Sequence, residues 1–190
     1  MTSEVSICNR ALRVLGVAPI MALGEDSKAG SWAQETYADL RDALLAEYPW
    51  NFAIRRAVLA ASNVAPAWGH QFLYPLPADC LRVLAVEGEP EARIEPYRIE
   101  GRAIATDAPA PLRIRYIARV TDPAQFGPLF VDALAARLAA EGAFHFTGST
   151  SREEQLRQAY RELAANARRY DAQEGTAEAL VANDWLEARA

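Results

Sequence analysis

The stretch LRIRYIARV, residues 112–120, places Leu112, Ile114, Tyr116, Ala118 and Val120 at every second position, with Arg113, Arg115 and Arg119 between them. Only a strand, whose side chains point alternately to opposite faces, turns that order into one apolar side and one basic side. Ile117 is the single exception. The same two-residue period runs through Phe72, Tyr74 and Leu76 of QFLYPLP, and YRIEGRAIAT reads as two short strands joined at Glu100-Gly101. LRVLAVEG is apolar enough for a central strand. A small, mostly antiparallel sheet is therefore expected over about residues 50–120.

On both sides of this region the period lengthens to that of a helix. Val5, Cys8, Leu12 and Leu15 share one face of a helix over about residues 3–15, and Gly16 stands where a helix-ending glycine belongs. Asp26 or Ser27 caps a second helix, about residues 28–48, with Ala33, Tyr37, Leu40 and Leu44 inward and Glu35, Asp39, Arg41 and Asp42 outward; Pro49 ends it. After the strands, Asp122, Pro123 and Gln125 form a start signal broken by Gly127-Pro128. A helix over about 128–143 turns Phe130, Leu134 and Leu138 inward. Another, about 151–170, opens on Ser151 with Glu154 and carries the stripe Leu156, Tyr160, Leu163, Ala167 and Tyr170. Helices flanking a block of strands define an α+β fold, with a helical bundle and an inserted sheet. One domain over residues 1–175 is expected, followed by a tail, 176–190, that holds Trp185 and Leu186.

The chain of 190 residues has 51% hydrophobic and 24% charged residues, a globular balance. Its formal net charge of −5 supplies no overall basic field to draw in nucleic acid. No apolar run reaches the roughly 18 residues of a membrane span, so no membrane anchor is expected. The N-terminus lacks the basic and apolar regions of a signal peptide, and synthesis in the cytoplasm is expected. Cys8 and Cys80, far apart and outside any Cys-x-x-Cys pair, read as small buried hydrophobes.

Motifs for turnover are missing. His70 and His145 are the two histidines, and neither has a Cys, Asp or second His at metal-ligand spacing. No nucleophile elbow, Walker loop or dinucleotide fingerprint occurs. Asp39 with Asp42, and Glu153 with Glu154, read as solvated helix faces. No catalytic residue, metal site or cofactor is expected. The basic side of LRIRYIARV has three readings: a solvent face paired with acids such as Glu95 and Glu100, a subunit interface, or a phosphate contact.

The segment YPWNFAIRRAVLA, residues 48–60, crowds aromatic and basic side chains where helix gives way to strand. Trp50, Phe52 and Ile54 fall on one side of an extended segment and would wedge the helical layer against the sheet. Arg55 and Arg56 then point to opposite faces and cannot clamp one small anion together. At least one of them is expected in a salt bridge within or between subunits.

Taken in order, ICNRALRVLG, YADLRDALLAEYPWNFAIRRAVLA, YPLPADCLRVL, YRIEG, IRYIARVTDPAQFGPLFVDALAARLAAE and TGSTSREEQLRQAY resemble phage and prophage head-to-tail connector proteins. The chain is similar to the tail tubular protein A family of short-tailed phages, from about Ser6 to Gly175. The resemblance implies a structural virion protein, made in the host cytoplasm and placed at the head-tail junction. It implies a ring of identical subunits, a dodecamer in relatives, between the portal protein and a downstream tail or nozzle protein. DNA would pass through its channel without sequence-specific binding. Arg55, Arg56, Arg113, Arg115 and Arg119 become candidate subunit-interface residues, and Trp185 and Leu186 candidate portal-docking residues. A negative protomer repeated about an axis would line the channel with charge that repels DNA and lets it slide. A prophage-encoded nucleic-acid-associated or regulatory protein is the alternative reading, and a cell-wall hydrolase a third.

Overall fold

A computed structural model describes residues 2–87 and 96–174. Among them are four helices and two three-stranded antiparallel sheets, an α+β arrangement as the periodicities require. Helix α1 is Glu4–Val14, opened by Ser3, whose hydroxyl accepts the Ser6 N–H while the Ser6 side chain returns a bond to Ser3. Helix α2, Lys28–Glu47, is capped by Ser27. Helices α3, Pro128–Thr147, and α4, Thr150–Gln173, form a hairpin about Gly148, whose φ of 66° is a conformation that glycine adopts without a Cβ penalty.

The strands are β1 (Ile54–Leu59), β2 (Phe72–Pro75), β3 (Cys80–Glu87), β4 (Tyr97–Glu100), β5 (Ala103–Thr106) and β6 (Leu112–Ala118). They do not make one sheet. The first has the order β1-β6-β3 and the second β2-β5-β4. LRIRYIARV, not LRVLAVEG, supplies the central strand, because β6 pairs with β1 on one side and β3 on the other. The apolar residues Leu112, Ile114 and Tyr116 of β6 meet Tyr74 and Ile104 of the second sheet in a core between the two sheets.

Ile117 breaks the alternation because β6 serves two cores. It is fully buried in the helical core with Trp50, Phe130 and Leu134, while its neighbours Tyr116 and Ala118 face the other sheet. Complete burial of such a side chain stabilises by about 1.5–3 kcal/mol. Here it also fixes the sheet against the helices, opposite Ile54 in the β1 register.

Four helix details differ from the sequence reading. The cap of α4 is Ser149, which accepts the Arg152 N–H, so the helix begins before Ser151 and no box forms with Glu154. Helix α3 also runs on to Thr147, one turn beyond 143. Arg41, placed on the outer face of α2, is buried: its guanidinium pairs with Asp42 at 2.7 Å and lies over the Tyr37 ring. Along α4, Leu156, Ala164 and Ala167 are buried, whereas Leu163 is 39% and Tyr170 65% exposed. Leu163 and Tyr170 fall along one edge of the buried face, because at about 100° per residue they lie on the opposite side of Leu156 from Ala164 and Ala167.

Candidate functional site

The junction after α2 is built by three kinds of contact. Trp50 is buried, its indole N–H donates to the Leu44 carbonyl at 2.9 Å, and its ring meets Phe130 edge-on at 5.0 Å. Phe52 packs on Phe130 at 5.0 Å and on Phe126 at 5.8 Å. The backbone between them is not extended: Asn51–Ala53 is a 3-10 turn, closed by the Ala53 N–H on the Trp50 carbonyl. The turn is what brings Trp50 and Phe52 into one aromatic cluster, and Ile54 leaves it as the first residue of β1. Asn51 then ties the junction to the end of α4. Its backbone N–H donates to the Asp171 carboxylate at 3.1 Å and its side-chain amide to the Asp171 carbonyl at 2.6 Å.

The arginines separate into distinct roles. Arg55 and Arg56 are successive on β1 and face opposite sides of it, as expected. Arg55 shares a side with Tyr116 and donates to the Phe52 carbonyl at 3.0 Å, with Gln125 at 3.5 Å. Arg56 stands opposite Arg115, and Val58 opposite Arg113, on the other side of the sheet. Arg56 and Arg113 are exposed, as is Val58 at 66%. Arg119 does not extend this stripe. It lies beyond β6, and its guanidinium joins Arg41 on Asp42, tying the strand end to α2.

A second electrostatic node has no local sequence signal. Glu47, at the end of α2, accepts from Arg137 of α3 and, at 3.0 Å each, from Arg168 and the Tyr160 hydroxyl of α4. Its partners lie 90 to 121 residues away, so only the assembled bundle brings them together. Burial pushes the Tyr160 hydroxyl above its ordinary range, against the pull of Arg137.

The remaining titratable groups are placed structurally. Glu153 pairs with Arg157 one turn along α4 at 2.7 Å, while Asp39 is exposed. His145 packs against Phe146 at 4.7 Å, and His70 lies 3.5 Å from Asp107. Cys8 and Cys80 are buried and unlinked; burial, aided by the charge of Glu4, pushes the Cys8 thiol up to about 12, which keeps it protonated and inert. Among the described residues no group of His, Cys, Asp and Glu is placed to hold a metal ion, and no helix is long and apolar enough to cross a membrane.

Two concave surfaces flank the helices. One, of about 400 Å³, is lined by Phe52, Phe126, Leu129 and Tyr170 and rimmed by Asp171 and Glu174. The other, of about 280 Å³, lies among α1, α3 and α4 beside Val14 and Leu163, with the Arg10–Asp132 ion pair at its edge. Trp185, Leu186 and Glu95 lie outside the described residues. No protein-family model matches the chain, and no curated protein matches it.

Proposed function

We propose that this protein is a structural adaptor of a phage or prophage particle, assembling as a ring between the portal and the tail and leaving an axial path for DNA. The carrying observation is that one protomer presents two unlike faces. Arg56 and Arg113 stand with the exposed Val58 on one side of the β1-β6-β3 sheet, and Glu35 and Asp39 project from α2 as exposed acids one turn apart. A head-to-tail contact that closes into a ring needs two different, complementary patches on each subunit. The rigid link between helices and sheet through Ile117 and Trp50 supports the reading, since closure needs a fixed angle between those patches.

Charge reversal tests it. Molar mass is measured by light scattering for the purified chain alone and with the portal protein of the same phage. Arg56→Glu with Arg113→Glu should abolish ring formation, as should Glu35→Arg with Asp39→Arg, and mixing the two variants should restore both contacts between unlike subunits, so that rings of alternating variants form. Rings that persist in both variants would overturn the assignment of the faces. A chain that stays monomeric with portal yet binds DNA with a steep salt dependence would favour the nucleic-acid-associated reading instead.

A further inference from the structure

We infer that the groove between the α3 start and the α4 end is the seat of the chain's own C-terminal segment, with Trp185 and Leu186 as the side chains that fill it. The groove, about 400 Å³, has an aromatic and aliphatic floor of Phe52, Phe126, Leu129 and Phe130, and Tyr170 forms its wall. Tyr170 is 65% exposed at the edge of the buried face of α4, so its ring stands ready for an apolar neighbour. Glu174, the last described residue of this end, is itself on the groove rim.

That position decides between occupants. Residues 175–190 follow Glu174 directly in the sequence, and Gly175 is the residue type that lets a chain reverse after a helix. Their large apolar side chains are Leu180, Val181, Trp185 and Leu186. A tether of about ten residues holds these at an effective concentration on the order of millimolar over the groove, so even a weak contact is populated within one molecule before a second copy competes. Among the described residues, the other groove, beside Val14 and Leu163, is not lined by Glu174. The inference is independent of the adaptor reading, because it concerns contacts within one subunit.

The test uses the full chain carrying Trp68→Phe. Trp68 is 88% exposed, whereas Trp32 and Trp50 are buried, so acrylamide quenching then reports on Trp185. Two groove variants are compared with this parent. Leu129→Asp puts a carboxylate in the first turn of α3, where it suits the helix dipole. Tyr170→Glu changes a mostly exposed side chain and leaves the core intact. Trp185 should be shielded in the parent at low protein concentration, and each variant should lose that shielding. Quenching in the parent as ready as that of free N-acetyltryptophanamide would overturn the proposal. So would shielding that both variants leave unchanged, which places Trp185 elsewhere, or shielding that disappears on dilution, which assigns the groove to a second copy.

Discussion

The side-chain amide of Asn51 donates to the backbone carbonyl of Asp171 at 2.6 Å, and the Asp171 carboxylate accepts the Asn51 backbone N–H at 3.1 Å. The two residues are 120 positions apart, and their reciprocal bonds clamp the turn after α2 to the last turn of α4. The clamp closes over the aromatic cluster of Trp50, Phe52, Phe126 and Phe130.

Asn51→Ala removes the amide bond but keeps the backbone N–H. A loss of about 1 kcal/mol is expected, the net worth of one such hydrogen bond, read as a lower urea midpoint with unchanged slope. Paired with Asp171→Ala in a double-mutant cycle, it should show a coupling of about 0.5 kcal/mol or more. Strict additivity would mean that the clamp does not act as a unit.

Burial holds the Asp171 carboxyl above the usual carboxylate range, outweighing the Asn51 N–H that favours ionisation, and nearby Glu174 adds to the rise. The folded state therefore favours the protonated form. That stabilising contribution is complete below the unfolded value of about 3.9 and is lost as pH rises through the higher folded one. The stability of the wild type relative to Asp171→Asn should accordingly fall with rising pH across the acid range, in matched urea titrations. A difference that grows with pH would refute the sign.

Ile117→Ala should cost about 2–5 kcal/mol, since the side chain is fully buried where sheet meets bundle. Arg113→Ala, exposed on the same side of the same strand, should stay within about 0.5 kcal/mol. Thermal unfolding of the two variants distinguishes these roles directly.

Gly30→Ala should destabilise by about 1–3 kcal/mol, although alanine is the better helix former. A Cβ at this position would stand 2.5 Å from the Glu25 carbonyl oxygen, a backbone atom that cannot step aside without moving the loop before α2. Retained or raised melting temperature would show that the loop yields.

Much of the fold is legible in residue order. Ser3 and Ser27 mark helix starts, and the alternation of residues 112–118 marks a strand, because capping and side-chain period are local properties of the backbone. Long-range partners have no such local trace. The crowded stretch from Tyr48 to Ala60 reads as a junction from its sequence, yet the 3-10 turn that puts Trp50 and Phe52 in one cluster follows from their packing on Phe130.

By itself, then, the sequence determined the α+β class, the order of helices and strands, and the existence of a basic strand. Tertiary structure decided that the strands split into two sheets, that β6 lies at the centre of one, and that Arg119 and Arg41 converge on Asp42. It also decided that Glu47 gathers Arg137, Tyr160 and Arg168. The physical reason is range: caps and periods act within one or two turns, whereas ion-pair partners and burial are set only when distant elements pack together.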